Sequence, residues 1–388
     1  MHPLLAASPV TAEILDALPN ATDPFALSLN ENPFPPLPAV RSALIRSIDA
    51  ANRYPEFLPE RLRRLIADHL GVCDEQVVLG AGASGVIMQV LHAVTRPGDR
   101  IVFSEPTFDG YPIFAQMAHL TAVTVPLDER GHHDLEAMAE AAADASVVVL
   151  CRPHNPTGTL EPVADVQRFL RRVPDQTVVL LDEAYIEFVA PQHRIDGPDL
   201  IQRFPNVVVL RTFSKAYGLA GLRIGYGFAS PELATILWRM QLPFGMGITS
   251  LAAVTASYDA EDQLRQRILR ITGERDYLCR RLRAMGVYTT DGHANFVYLP
   301  AAGRPWREVF GDTGLKARYY PDGAARITVG SRASTQAVLA AVAKRRADQI
   351  ASANAVRTRA WPLPNPTNAT DRSGDGQLEA CRVGDVSR

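Results

Sequence analysis

Lysine is rare in this chain, and each lysine is therefore informative about chemistry. Of the 40 basic residues only Lys215, Lys316 and Lys344 are lysines, an excess of arginine that codon bias explains. Arginine stays protonated and cannot act as an amine nucleophile, whereas a lysine amine can. Lys215 follows an apolar run at 207–210 through a hydroxyl-rich turn at 212–214. A reactive amine at the end of a buried strand and an ordinary surface lysine are the two interpretations of this segment.

Two other segments carry residues suited to a compact anion. Arg223 stands among small residues in the segment GLRIG at 221–225, and with Thr212 and Ser214 it offers the donors that phosphate groups bind. The segment GAGAS at 80–84 lies between a predicted strand and a predicted helix, where the first helical N–H groups are free to hold an anion. A plain tight turn is the alternative interpretation of this second segment.

Polar residues also follow two buried apolar runs. The segment CRPHNPTG at 151–158 places Asn155 after the first, and VVLLDEAY at 178–185 places Asp182 after the second. A carboxylate at the end of a buried strand needs a cationic partner. A β-turn at 155–158 and a helix N-cap at Asp182 are the alternatives, since Asn-Pro, Thr-Gly and Asp suit those positions.

The elements that must position these residues alternate along the chain. Helices are predicted at 61–70 and from 85 to about 95, and spacers of roughly 20 to 30 residues separate most of the later apolar runs, as crossover helices in a parallel sheet require. The pattern predicts an α/β core with a mainly parallel central sheet flanked by helices. The predicted strands are 76–79, 100–103, 122–125, 146–151, 177–181 and 207–211.

The chain divides into four predicted parts. Residues 1–37 form a proline-dotted N-terminal arm that packs on the small domain or a dimer partner, and residues 38–260 form the large domain. Residues 261–350 form a smaller α+β domain, with strands at 295–299 and 325–329 and a helix at 335–347, and a long helical region at 233–285 crosses the boundary between the two domains. The polar composition of 351–388 predicts a disordered tail.

Composition excludes several classes of protein. The formal net charge of −2 does not favour a nucleic-acid partner. The apolar runs are far shorter than the roughly 20 residues of a membrane-spanning helix, and the N-terminus does not have the pattern of a signal peptide, so we expect a cytoplasmic protein with no membrane partner. Four dispersed cysteines predict neither a disulfide framework nor a metal site.

Several motifs in one order make the chain resemble a known family. The pyridoxal 5′-phosphate (PLP) aminotransferases of fold type I, and within them the histidinol-phosphate aminotransferase subgroup, are similar to it from about residue 28 to about residue 347. The shared motifs are LNENP at 29–33, NRYP at 52–55, NPTG at 155–158, DEAY at 182–185, RTFSKAYGLAGLR at 211–223 and RITVG at 326–330. The resemblance implies the fold type I architecture and PLP as cofactor.

The resemblance also implies the roles of individual residues. Lys215 would hold PLP covalently and later move the substrate Cα proton, while Asp182 would keep the pyridine nitrogen protonated so that the ring can withdraw electrons. Tyr185 and Asn155 would donate hydrogen bonds to the ring 3′-oxygen. The other residues implied to bind the cofactor are Phe108, stacked on the ring, and Ala83, Ser84, Thr212, Ser214, Arg223 and the partner subunit's Tyr54, at its phosphate.

Substrate binding and assembly follow from the same resemblance. Arg326 would bind the substrate carboxylate, with Asn30 and Arg318 as further substrate ligands. The family's active sites lie at a dimer interface, which implies a homodimer. The partners are then a small-molecule amino donor and a 2-oxo acid acceptor, and the two half-reactions alternate in a ping-pong mechanism.

Departures from the family pattern bear on the substrate. Gly85 replaces an acidic residue after the phosphate-binding turn, and no tyrosine precedes Tyr54, although histidinol-phosphate enzymes carry one in the arm. We therefore expect another L-amino acid or related amine, such as a non-standard amino acid of specialised metabolism. The alternatives are histidinol phosphate itself, or a PLP-dependent decarboxylase, lyase or oxidase. The presence of Lys215, Asp182, Asn155, Tyr185 and Arg223 disfavours a non-enzymatic binding module.

Overall fold

A seven-stranded sheet lies at the centre of the protein in the computed structural model, which describes residues 19–301, 303 and 305–359. The strand order is β2-β8-β7-β6-β5-β3-β4, and neighbouring strands pair in parallel except on both sides of β8. The strands are β2 (Val77–Ala81), β3 (Arg100–Glu105), β4 (Thr121–Pro126), β5 (Val147–Cys151), β6 (Val178–Asp182), β7 (Val207–Thr212) and β8 (Ile224–Ala229).

Both faces of the inner strands of this sheet are buried. In β5, Val148 and Leu150 pack into one hydrophobic cluster, while Val147 and Val149 pack into another. Successive side chains of a strand point to opposite faces, so a strand covered by helices on both faces reads as an unbroken apolar run. The mainly parallel α/β sheet predicted from the sequence is confirmed.

A second sheet joins the arm to the C-terminal part of the chain. Its strands are β1 (Ala26–Leu27), β9 (Phe296–Leu299), β10 (Lys316–Tyr319) and β11 (Ala325–Thr328), in the order β1-β10-β11-β9. The arm strand β1 runs parallel to β10, and the other pairs are antiparallel. Arg318 and Arg326 stand directly opposite each other in β10 and β11. Opposite residues of an antiparallel pair put their side chains on the same face of the sheet.

Helices connect and cover these strands, and no helix among the described residues is long and apolar enough to cross a membrane. Most of those before residue 204 link consecutive strands of the central sheet. The helices are α1 (Pro38–Ser47), α2 (Glu60–Leu70), α3 (Gly82–Val94), α4 (Gly110–Met117), α5 (Leu135–Ala141), α6 (Val163–Arg172), α7 (Gly197–Arg203), α8 (Pro231–Trp238), α9 (Ile248–Asp259), α10 (Glu261–Ala284), α11 (Arg307–Phe310) and α12 (Arg332–Arg359).

Strand β8 is absent from the sequence prediction. Its sequence Ile-Gly-Tyr-Gly-Phe-Ala has two glycines, which weaken a strand and disguise its pattern. Both glycines are needed for packing, because a Cβ at Gly225 would overlap the backbone of Gly82, and a Cβ at Gly227 would lie 3.0 Å from the Val86 side chain. Helix α3 can therefore lie directly against this strand.

Two predicted segments differ from the structure. The single helical region predicted at 233–285 is three helices, interrupted at 239–247, where Pro243, Gly245 and Gly247 disfavour a helix. Helix α12 continues to Arg359, so the prediction of disorder is wrong for 351–359; the rest of the predicted tail lies outside the described residues. Alanines and arginines, both strong helix formers, extend the helix into that polar segment.

The predicted domain boundaries remain predictions. The chain up to Ala343 forms one compact unit, and the chain from Lys344 belongs to another. Residues 1–18 of the predicted arm lie outside the described residues, and the described part includes β1.

Candidate active site

Lys215 lies in the turn after β7, close to the arm. Its Nζ donates a hydrogen bond to the Leu29 carbonyl oxygen at 3.0 Å and lies 5.8 Å above the Tyr185 ring. Asn32 fixes the turn, since its Nδ2 donates to the carbonyl oxygens of Lys215 (3.1 Å) and Ala216 (2.9 Å). Burial, followed by the positive charge of Arg326, lowers the pKa of Lys215 to about 8. A large share of this amine is therefore unprotonated, and nucleophilic, at mildly alkaline pH.

We expect the Lys215 amine of the cofactor-free protein to be acetylated by acetic anhydride with a midpoint near pH 8. Only the neutral amine reacts, and its fraction grows as pH rises through the pKa. Peptide mass spectrometry after brief labelling at a series of pH values measures this, with the exposed Lys316 as the reference in each sample. Arg326→Gln should move the midpoint to higher pH; a Lys215 midpoint at about pH 10.4, the value of an unperturbed lysine, would contradict the assignment.

Asp182 ends β6 and is buried. Its Oδ2 accepts a hydrogen bond from the Tyr111 hydroxyl at 2.7 Å, and its Oδ1 accepts one from the Ala184 amide at 3.0 Å. Burial raises the pKa of Asp182 against the effect of these two bonds. Among the described residues, no lysine, arginine or histidine forms a salt bridge with it. The carboxylate can therefore accept a charged hydrogen-bond donor from a bound molecule.

The predicted phosphate ligands lie together where β7, β8 and α3 meet. The Thr212 hydroxyl donates to Ser214 Oγ at 2.9 Å, and Arg223 Nη1 lies 3.4 Å from the same oxygen. Ala83 and Ser84 are in the first turn of α3, whose N–H groups have no acceptor within the helix. Arg223 forms no salt bridge with an acidic residue of the described chain. This set of donors suits a doubly charged anion.

Glycine at position 82 makes that cluster possible. Gly82 has φ of +74°, and a Cβ there would overlap the Arg223 guanidinium. Its amide donates to the Arg223 carbonyl oxygen at 3.0 Å, and Arg223 itself has φ of +53°. The sequence segment 80–84 is therefore more than a plain tight turn, because its glycine lets a cation and a helix N-terminus approach each other.

Tyr185, Asn155, Asn30 and Arg326 form one buried hydrogen-bond network. The Tyr185 hydroxyl oxygen accepts from Asn30 Nδ2 at 2.9 Å and from Asn155 Nδ2 at 3.3 Å, which leaves its proton available to another acceptor. Burial raises the pKa of Tyr185 well above its ordinary value, so the phenol stays protonated. Arg326 donates to Asn155 Oδ1 and to the Ser28 carbonyl oxygen, the second bond at 2.6 Å.

Arg326 is the second guanidinium of the site that lacks an acidic partner among the described residues. It is 7% exposed, and its Nε is buried with no hydrogen-bond partner. A buried charge without a counter-charge is costly. A carboxylate bound here would offset that cost, and the planar guanidinium could hold it through two hydrogen bonds.

Three predicted site residues stand outside these clusters. The Phe108 ring packs edge-on against Tyr111, with centroids 5.4 Å apart. Tyr54 is 82% exposed and packs on Phe244 rather than on the predicted phosphate ligands. Arg318 forms a salt bridge with Asp109 at 2.8 Å, so a carboxylate of this chain already pairs with it, and its role as a substrate ligand stays a prediction.

The peptide bond between Asn155 and Pro156 is not among the cis bonds of the described chain, which are Glu105-Pro106 and Arg152-Pro153. The sequence leaves the isomer of this bond open, and the structure has it trans.

Sequence reasoning missed Tyr111, Asn32 and Asp109. Tyr111 contacts Asp182 from α4, and the only signal for it was its place three residues after Phe108. Asn32 belongs to the motif LNENP, whose sequence indicates an extended arm and gives no sign that it supports the lysine turn.

The residues present fit PLP. Arg223 lies beside the start of α3 without an acidic partner among the described residues, so it suits the phosphate of PLP. The buried Asp182 suits a protonated ring nitrogen, and the Lys215 amine suits the aldehyde. The Tyr185 proton remains available for the ring 3′-oxygen.

Known proteins with similar sequences are aminotransferases. The family model for aminotransferases of class I and II matches residues 22–342. An aromatic amino acid aminotransferase of Cutibacterium acnes is 42% identical over 321 residues, which cover 82% of this chain and 91% of that protein. A second one, of Corynebacterium efficiens, is 41% identical over 83% of this chain and 93% of its own length.

A solved structure has the same fold and holds the expected cofactor. The histidinol-phosphate aminotransferase of Sinorhizobium meliloti, in complex with pyridoxal 5′-phosphate, superposes with a TM-score of 0.76 at 28% identity. The match covers 87% of this chain and 97% of that one.

Proposed function

Because the chain belongs to the class I and II aminotransferases, we propose that it exchanges an amino group between an aromatic L-amino acid and a 2-oxo acid. The family, the PLP cofactor and the aminotransferase activity agree with the expectations from the sequence. The observation that carries the proposal of an amino-acid substrate is the buried guanidinium of Arg326, which has no acidic partner among the described residues and is close enough to Lys215 for its charge to lower the pKa of that amine.

The aromatic side chain is supported by the relatives. Two proteins that are 42% and 41% identical to this chain carry the name aromatic amino acid aminotransferase. Rings also line the small sheet beside Arg326: Tyr298 stands opposite it in β9, and the Tyr298 and Tyr320 rings meet edge-on at 5.8 Å. Aromatic rings in this edge-on arrangement attract one another, so such a wall favours an aromatic substrate.

The proposed mechanism assigns one task to each group of the site. When bound, PLP supplies an electron sink that makes the substrate Cα proton removable and carries the amino group between half-reactions. The Lys215 amine moves the proton at Cα, and the Asp182 carboxylate holds the proton on the ring nitrogen. Arg326 orients the substrate carboxylate, and Tyr185 donates its proton to the ring 3′-oxygen. The two half-reactions alternate, which gives ping-pong kinetics.

The phosphate of the cofactor would be held by the cluster at the start of α3. Its proposed ligands are the amides of Ala83 and Ser84, the hydroxyls of Thr212 and Ser214, and Arg223. Phe108 is the proposed contact to the cofactor ring, and Asn30 and Asn155 position Tyr185.

A homodimer is part of the proposal. Tyr54, Phe57 and Phe244 are 82%, 60% and 43% exposed, and the first two rings both pack on Phe244, so the three present an aromatic surface to solvent in the single chain. A second copy would cover this surface and bring the partner subunit's Tyr54 to the phosphate site. The molar mass in solution tests the homodimer.

The cytoplasmic location stays a prediction.

We expect Arg326→Lys to lower kcat/KM for L-phenylalanine about 100-fold, mainly through KM. A lysine keeps the charge but loses the planar pair of donors that a carboxylate uses. The substrate preference is measured by following conversion of the PLP-loaded enzyme with one compound at a time. The compounds are L-phenylalanine, L-tyrosine, L-tryptophan and histidinol phosphate. The aromatic assignment fails if only histidinol phosphate reacts. Arg203→Lys, at an exposed ion pair with Asp199, is the matched control.

A further inference from the structure

The two arginines on one face of the small sheet differ in their counter-charges. Arg318 and Arg326 stand opposite each other in β10 and β11, so their side chains leave the same face. Both lie near Tyr320, since each positive charge lowers the pKa of that phenol, which burial raises. Two free guanidinium groups in this arrangement would form a site for a dianion such as a phosphate group.

Only one of the two is free. Arg326 is buried and meets neutral oxygens of Asn155 and Ser28. Arg318 is half-exposed, and its Nη2 lies 2.8 Å from Asp109 Oδ2. The face therefore presents a net charge of about +1, which matches a carboxylate, a monoanion.

Asp109 follows β3 of the central sheet, whereas Arg318 and Arg326 belong to the small sheet. It lies between Phe108 and the start of α4, and Tyr111, in the first turn of that helix, donates to Asp182. A Cβ at Gly110 would overlap the Phe108 ring, so the chain is closely packed at this turn. The turn thus places the Asp109 carboxylate, which is 56% exposed, against Arg318 and two residues before the partner of Asp182.

We propose that Asp109 is a specificity-determining residue: it occupies Arg318 and thereby selects a carboxylate over a phosphate group at Arg326. A substrate phosphate could recruit Arg318 only by displacing Asp109, and it would then face the displaced negative charge. A substrate carboxylate needs Arg326 alone. This inference rests on the proposed function, because it takes Arg326 as the substrate's anion site.

The test is the ratio of kcat/KM for histidinol phosphate to kcat/KM for L-phenylalanine in the PLP-loaded enzyme. Asp109→Asn should raise this ratio about tenfold, the worth of one charge-assisted hydrogen bond in a half-exposed setting. Adding Arg318→Gln should remove the gain, because the freed guanidinium is its source. Asp199→Asn is the matched control, since it breaks an exposed ion pair at 3.1 Å with Arg203 and should leave the ratio unchanged.

Calorimetric titration of the PLP-loaded enzyme with inorganic phosphate, at constant ionic strength, gives a second readout that needs no turnover. Asp109→Asn should bind phosphate more tightly than the wild type by a similar factor. An unchanged ratio and unchanged phosphate affinity would overturn the proposal, as would a gain that persists in the double variant. Failure of the wild type to use aromatic amino acids would instead overturn the proposed function, while the titration would still test Asp109.

Discussion

Replacing Lys215 by arginine should lower transamination at least about 1,000-fold, the scale of a lost general acid–base group. Arginine keeps the positive charge and much of the length, but it supplies no neutral amine to attach the cofactor or to move the Cα proton. Steady-state turnover of L-phenylalanine with a 2-oxo acid measures the loss. Lys316→Arg is the matched control, because Lys316 is exposed in β10 and pairs with Asp23 at 3.6 Å.

A second readout assigns the effect to the amine itself. Borohydride reduction of PLP-loaded protein followed by intact-mass measurement should add one cofactor mass to the wild type and to Lys316→Arg. Lys215→Arg should gain none. Multiple turnovers by Lys215→Arg, or cofactor mass retained on it, would refute the role given to Lys215.

The second large effect is expected at Asp182. Asp182→Asn keeps the shape and the contact with Tyr111 but removes the charge that would hold a proton on the ring nitrogen. We expect kcat to fall about 100- to 1,000-fold, as when one preorganised electrostatic group is removed from an active site. Tyr111→Phe should cost less, because Tyr111 acts through Asp182 and is a positioning residue.

The melting temperature of Asp182→Asn shows whether its loss of kcat comes from the missing charge or from unfolding. The pKa of Asp182 is raised in the folded protein, so its ionised form opposes folding at neutral pH, and stability from this group is lost as pH rises above the unfolded value. Cofactor-free Asp182→Asn should therefore melt at the same temperature as the wild type or higher. A lower melting temperature, or retained kcat, would argue against the assignment.

The central sheet was predictable because its signal is strong. The apolar runs of β3, β5, β6 and β7 are buried on both faces, whereas the edge strand β4 is mostly exposed, and the breaks between the runs are long enough for helices. Strand β8 was not predictable in this way, because Gly225 and Gly227 serve the packing of α3 and lower the strand propensity of their own segment.

The lysine and its anion sites were predictable from residue chemistry, since a rare amine and a glycine-rich helix start are local features. Pairings between distant residues were not. Nothing local links Asp109 to Arg318, or Tyr111 to Asp182, because these contacts are set by how two elements pack. The resemblance named Arg318 as a ligand without showing that this chain gives it a counter-charge.

The contact between the arm and β11 has a consequence for biosynthesis. The backbone N–H of Asn30 donates a hydrogen bond to Thr328 Oγ1 at 2.9 Å, and the two residues are 298 positions apart in the chain. At about 5 to 20 residues per second, the arm leaves the ribosome roughly 15 to 60 s before its partner is made. Throughout that interval Asn30 cannot reach its final place, and Tyr185 lacks one of its two amide donors. A nascent chain of about 230 to 330 residues therefore contains every strand of the central sheet but not the complete active site.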